Sequence, residues 1–272
     1  MRLTTSPRLP DADDDYFYPH SDGRPMGETP AHFRNLSYVR EMLDVWYADD
    51  PQVFVAGNMF IYYVPGDRLK HVSPDLFVVR GVPKDKPRKK YLLWEERKGP
   101  DLVVELTGAG TRDEDLDKKW LYRDILGVRE YVLFDPYGEY LQPALQGFLL
   151  QEGDDALMPM VSGRLQSNVL GLHFEAQGED LRLYDPATGR WRRTPPEERE
   201  FAAQTAAERD QTAAELDQME AKLDQTAAER DQLAAKLEQT ATERDQAMAE
   251  KARVEQELAK LRRRLGETTD EG

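Results

Sequence analysis

No cysteine occurs among the 272 residues, which excludes disulfides, thiolate nucleophiles and cysteine-type zinc sites. Histidine is nearly as scarce. His20, His32, His71 and His173 are far apart and show no His-x-x-x-His spacing. No apolar run approaches the roughly 18 residues a bilayer span needs. The opening Met-Arg-Leu-Thr-Thr-Ser-Pro has no apolar core of a secretory signal. Neither a membrane anchor nor export is therefore expected, and the cytoplasm is the default location. Positive charge is also short: 37 Lys and Arg face 52 Asp and Glu, a net charge of −15. That balance argues against broad nucleic-acid binding through a basic surface. The deficit is shared, because 11 basic and 17 acidic residues lie in 201–272 while 26 and 35 lie before them.

Glycine and proline are absent from 197–265, whereas proline and aspartate crowd residues 1–28. The latter segment, without periodicity, reads as an extended, poorly ordered arm. Thr29-Pro30 is a cap and first-turn proline for a helix over about 31–49, with Leu36, Val39, Leu43 and Trp46 at helical spacing. Strand-like segments follow at 53–56, 59–63, 75–79, 91–94, 101–106 and 130–134. The breakers Gly57-Asn58, Pro65-Gly66-Asp67 and Gly99-Pro100 punctuate them. A helix over about 112–126, stopped by Gly127, lies between the last two strands and implies a parallel crossover. Residues 140–190 read as hairpins turning at Gly153-Asp154, Gly163 and Gly178. The expected fold class is α/β: a mixed β-sheet flanked by helices over 29–193, followed by a long C-terminal helix.

That helix opens at Thr194-Pro195-Pro196-Glu197, a capping box with proline in the first turn. Gln-Thr-Ala-Ala-Glu-Arg-Asp-Gln occurs at 204 and 225, with close copies at 211 and 239, so all offsets are multiples of seven. Heptads predict a coiled coil over 194–266, with a short disordered tail at 267–272. Its seam runs through Leu216, Met219, Leu223, Leu233, Leu237, Val254, Leu258, Leu261 and Leu265. The seam is interrupted by Arg209, Arg230, Arg244 and Lys251, and by Thr205, Thr212, Thr226 and Thr240. Self-association, most simply as a dimer through 200–265, competes with a long solvated helix.

The chemistry concentrates in two strands. Asp75 follows Pro74 at the start of Leu-Phe-Val-Val, and Glu105 sits inside Leu-Val-Val-Glu-Leu. A buried, unpaired carboxylate costs several kcal/mol, so Glu105 needs a cation or a hydrogen-bonding role. Two carboxylates on neighbouring strands can share Mg²⁺ or Mn²⁺, and a lysine nearby can stabilise a reacting phosphate. Lys119, or else Lys118, is the candidate; the two lie about 100° apart around a helix, so one of them points inward. Asp101 and Asp135 read as strand-end residues, and Glu95 and Glu96 as a solvated strand end. The stretch from Lys84 through Lys86, Arg88, Lys89 and Lys90, with a net charge of +4, is the candidate phosphate-contacting loop. Thr107-Gly-Ala-Gly-Thr111 lacks the lysine and spacing of a nucleotide-binding loop.

Several of these segments together resemble a known family. They are Pro74-Asp75, Pro100-Asp-Leu-Val-Val-Glu105, Asp115-Leu-x-Lys-Lys-x-x-Tyr122 and Leu126-Gly-Val-Arg-Glu-Tyr-Val-Leu-Phe-Asp-Pro136. In this order they resemble the Uma-type family of the PD-(D/E)XK nuclease superfamily. The likeness spans about 25–190, from Asp22-Gly-Arg-Pro-Met26 to Leu183-Tyr-Asp-Pro186. It implies a restriction-endonuclease-like fold and a Mg²⁺ site on Asp75 and Glu105, with Lys118 or Lys119 as the helix-borne lysine. Where serine and proline usually follow the acidic strand, this chain has Thr107-Gly-Ala-Gly.

The resulting expectation is a metal-dependent endonuclease hydrolysing DNA. A silent nuclease fold serving as an assembly module through its coiled coil is the rival, and RNA is the alternative substrate.

Overall fold

The computed structural model describes residues 17–21, 29–108, 118–151 and 155–267. Residues 1–16, Asp22-Gly-Arg-Pro-Met26, the loop end at 109–111, the helix start at 112–117, the Gly153-Asp154 turn and 268–272 lie outside the described residues. The chain divides into two units, Met1–Glu200 and Phe201–Gly272.

Helix α1, Pro30–Trp46, begins where Thr29 caps it: the threonine side chain accepts from the His32 amide at 3.2 Å, and proline fills the first turn. Its buried face carries Ala31, Asn35, Val39, Met42 and Leu43, with Leu36 and Trp46 partly covered. Asn35 does more than fill space. Its amide donates to Ala31 O and Glu179 O and accepts from Leu181 N, all within 2.8 Å, which ties α1 to a distant hairpin.

A six-stranded mixed sheet carries the first unit. The strands are β1 (Val53–Ala56), β2 (Ile61–Tyr62), β3 (His71–Val72), β4 (Leu76–Arg80), β5 (Tyr91–Leu92), β6 (Leu102–Leu106), β7 (Glu130–Phe134), β8 (Leu145–Leu149) and β9 (Ala156–Leu157). The large sheet runs β1-β4-β6-β7-β8-β9, with β6 and β7 parallel and the other neighbours antiparallel. β6 and β7 flank the helical segment that Gly127 ends, and such a crossover joins parallel strands. β7 is buried along its whole length, as expected of a central strand covered on both faces. β2, β3 and β5 form a separate small sheet.

A five-stranded antiparallel meander follows: β10 (Met160–Val161), β11 (Arg164–Ser167), β12 (Leu172–Gln177), β13 (Asp180–Asp185) and β14 (Arg190–Trp191). One face of the large sheet packs with α1 and the meander through Leu76, Val104, Val132, Leu172 and Leu183. The other face, with Phe77, Val103 and Tyr131, packs on Tyr122 and Leu126.

Two local expectations are revised. The segment 91–94 is strand for two residues only; α2 (Leu93–Glu96) is a single turn ended by Arg97 in the left-handed region at φ 56°. The N-terminal arm is also anchored in part. Tyr18 is buried against Tyr62 and Trp94, Tyr62 donates to Pro19 O and Lys90 to Tyr18 O. Aromatic area, absent from an argument based on proline and aspartate, holds residues 17–19 in place.

The Glu96 side chain is likewise covered rather than solvated, 8% exposed. Arg88 grips its carboxylate with two 3.0 Å hydrogen bonds, Lys86 adds one of 2.7 Å, and the Arg88 guanidinium also covers Phe54. Burial alone would push this carboxyl up, but the hydrogen bonds to Arg88 and Lys86 outweigh it and hold the group below its ordinary value of 4.5. A depressed pKa stabilises the fold above the unfolded value and loses that contribution as pH falls through the folded one. Wild type should therefore lose stability below about pH 4.5 more steeply than Glu96→Gln, measured by urea unfolding across pH 3–7. Parallel pH profiles would show that the pair contributes nothing.

Candidate active site

The antiparallel register of β4 and β6 pairs Leu76 with Val104. Continued by one residue, it sets Asp75 opposite Glu105 on the face that carries Phe77 and Val103. The two residues are stitched together through the backbone. Asp75 N donates to Glu105 Oε2 at 2.9 Å, and Leu106 N donates to Asp75 Oδ2 at 2.7 Å. The Gly57-Asn58 turn braces this corner, with Asn58 N on Pro74 O and Asp75 O. A Cβ on Gly57 would lie 2.5 Å from Asp75 O, so a side chain there would push the aspartate out of place.

Glu105 is almost fully buried, its side chain 3% exposed. Its other oxygen, Oε1, accepts from Tyr122 Oη at 2.5 Å and lies 3.6 Å from Lys118 Nζ. Tyr122 is itself completely buried, on a π-helical turn, Leu121–Ile125, that Gly127 closes at φ 68°. Wider turns of this kind are frequent at functional sites. Asp75 Oδ1 points elsewhere: His32 Nε2 of α1 lies 3.4 Å away.

The two lysines are thereby distinguished. Lys118 faces Glu105, whereas Lys119 Nζ stands 3.3 Å above the Phe148 ring of β8. Burial lowers the Lys119 pKa and Asp155 partly opposes it. Lys119, the first choice from sequence, is thus turned away from the carboxylates by a cation–π contact.

The cations of the basic loop contact their own chain. Lys84 Nζ donates to Tyr47 O and Ala48 O, Lys86 and Arg88 hold Glu96, and Lys90 is buried on Tyr18 O. Lys89 too is engaged in an interaction. Asp101 and Asp135 are structural, as expected. Asp101 accepts from Arg80 N, Lys98 and Arg129, and Asp135 from four backbone amides between Tyr137 and Leu141.

One neighbour of the site was not legible in the sequence: His32, which only α1 docking brings to Asp75. Tyr122 is part of the lysine-bearing motif, and its spacing, four residues after Lys118, puts the two on the same helical face. Thr107, two residues beyond Glu105, is buried and donates its amide to Phe134 O.

A family model described as "Putative restriction endonuclease", Uma2, matches residues 5–200. The chain belongs to this family. Asp75, Glu105, Lys118 and Tyr122 all lie within the matched span. Among solved structures, the chain is similar to "a putative nuclease belonging to DUF820 from Anabaena variabilis ATCC 29413". The identity is 14% and the TM-score 0.41, over 59% of this chain and 87% of that one. No curated protein matches the chain. Among the described residues no helix is long and apolar enough to cross a membrane.

Proposed function

We propose that this Uma2-family chain is a Mg²⁺- or Mn²⁺-dependent endonuclease that hydrolyses phosphodiester bonds of DNA. The observation that carries the proposal is the buried Glu105 carboxylate, opposite Asp75 and beside Lys118. The donor set fits a hard divalent cation. It offers carboxylate oxygens only, and among the described residues no group of three His, Asp or Glu side chains is placed to hold a metal. A cation held by Asp75 and Glu105 would need water and phosphate oxygens for its remaining ligands, as Mg²⁺ commonly does. Bound to Asp75 and Glu105, it supplies a Lewis acid and a water acidic enough to attack at neutral pH.

The chain's own side chains do the rest. Tyr122 and the Asp75 amide fix both oxygens of Glu105, so the carboxylate is preorganised. Lys118, 17% exposed and facing the carboxylate pair, places positive charge where negative charge builds on the attacked phosphate. His32 borders Asp75 and closes the site on the α1 side. A second copy gathered through 200–265 would bring a second such site, which suits cutting both strands. The acidic net charge of −15 favours the rival reading, a silent fold that assembles other molecules.

Calorimetric titration with Mg²⁺ and Mn²⁺, alongside plasmid nicking in the same samples, separates the two. Binding with nicking is expected. Folded protein that binds neither cation would end the catalytic reading. Binding without nicking of DNA, but with cleavage of RNA, would change the substrate and keep the site. Lys118→Met should slow nicking by about a hundredfold, and Lys119→Met should leave it near wild type. The reverse order would overturn the assignment of the lysines.

A further inference from the structure

The C-terminal helix, Pro195–Glu267, exposes its apolar seam in the single chain: Leu216, Met219, Leu223, Leu233, Leu237, Val254, Leu258 and Leu261 are 46–74% exposed. With Leu216 at position a of the heptad, these side chains fall at a and d. Arg209, Arg230, Arg244 and Lys251 fall at a among them. Each of these four cations is immediately preceded by a glutamate at position g: Glu208, Glu229, Glu243 and Glu250. Of the leucines at a, 223 and 237 are preceded by Lys222 and Lys236, and 216 and 258 by Glu215 and Glu257. Acidic g therefore accompanies every basic a.

Within the single chain Arg230 and Arg244 bond the aspartates that follow them and not the glutamates that precede them, so the Glu-before-cation pattern is not used on one helix. In a parallel two-stranded coil it acquires a meaning. The a side chain enters a hole of the facing helix that includes the partner's preceding g residue. We propose that the partner of this helix is a second copy of the chain, parallel and in register, with each a-position cation paired to a glutamate of the other copy. The inference stands independently of the nuclease reading.

Apolar matching selects the same arrangement. The seam has an inner block, 216–237, and a terminal block, 254–261. Parallel in-register pairing covers both at once, each by its own copy. An antiparallel pair leaves part of the seam unmatched in each register. If it overlaps fully, the terminal block faces the alanine- and threonine-rich stretch at 202–212. If it pairs the terminal blocks together, the inner block is left open. If it sets Met219 against Leu261, Leu233 and Leu237 fall opposite 243–247, where Arg244 and Ala247 hold the core positions. The cations can also reach across without loss: Arg230 and Arg244 now bond only Asp231 and Asp245 next door, in pairs about 70% exposed that contribute little. Their aliphatic stems cover the seam while the guanidinium groups reach the edge. Parallel association also gathers the two copies' helix starts at Pro195 at one end of the coil.

The natural absence of cysteine makes the test direct. Full-length Met219→Cys and Leu261→Cys are each oxidised, and a mass-labelled mixture of the two is oxidised as well. Covalent dimers of each variant with itself, and no 219–261 product from the mixture, are expected. A 219–261 product, or no self-linked product at either site, would overturn the proposal. Sedimentation of the full chain reads the charge pairing. Arg244→Glu should weaken the dimer about tenfold, because glutamates then meet the partner's Glu243, and adding Glu243→Arg should restore it. A double variant no tighter than the single one would refute the ion pairs. A wild type that stays monomeric at every concentration would refute the whole arrangement.

Discussion

Glu105→Gln is expected to lower metal-dependent DNA cleavage on the order of 10³-fold while leaving the protein folded. Glutamine keeps the volume of the side chain and one acceptor oxygen. That oxygen can still take the Asp75 amide, which donates to Glu105 Oε2 at 2.9 Å. The Tyr122 hydroxyl, now a 2.5 Å donor to Oε1, can rotate to accept from the new amide instead. What disappears is the charge, which both the cation and Lys118 need. Asp75→Asn should act in the same direction, since its Oδ2 retains the Leu106 amide while its hold on the cation weakens. Nicking rates and Mg²⁺ titrations on wild type and both variants measure this together. Cleavage by Glu105→Gln at the wild-type rate would exclude Glu105 from the chemistry.

The largest loss of stability is expected at a carboxylate with no catalytic part. Glu130 begins β7 and is 2% exposed. It accepts from Ser167 Oγ at 2.5 Å, Asn168 N at 2.8 Å and Val169 N at 3.1 Å. Ser167 Oγ in turn accepts from Leu170 N. One side chain thus anchors the turn between β11 and β12 to the large sheet. Glu130→Ala strands these donors in a water-poor corner and should cost about 3–5 kcal/mol. Glu130→Gln keeps an acceptor for the two amides and should cost distinctly less. Urea unfolding followed by intrinsic fluorescence is suited to the comparison, because Trp46 donates to Leu170 O on the same turn. Equal stability of Glu130→Ala and wild type would show that the turn holds without this anchor.

Long apolar segments carried most of the fold. β1 and β7 have the bounds their β-branched and aromatic runs predict, and β6 differs by one residue. Their burial on the sheet follows from composition alone. Short segments did worse. Residues 91–94 contain two residues of strand and then a helical turn, because the register that decides them is pairing with β2, a two-residue partner thirty positions away. Propensity has little to say over so few residues.

The site divides along the same line. Asp75 and Glu105 stood out because a carboxylate inside an apolar strand is costly, and that is a property of the local sequence. Which lysine joins them was not. Lys118 and Lys119 are chemically alike and adjacent, and the choice fell to Phe148 on β8, whose ring holds Lys119. The basic loop shows the same limit. Its charge was plain, but the Tyr47, Ala48 and Tyr18 carbonyls and the Glu96 carboxylate that its side chains contact come from other elements.

By itself, then, the sequence determined where the strands run, that two of them carry carboxylates in apolar surroundings, and that a heptad helix follows. These are consequences of periodicity and of desolvation cost, both readable one segment at a time. Only the tertiary structure decided which cations face those carboxylates and which are neutralised within the chain, and that His32 and Tyr122 border the site. Such contacts depend on packing between segments distant in sequence, and short-range electrostatics acts on distance in space.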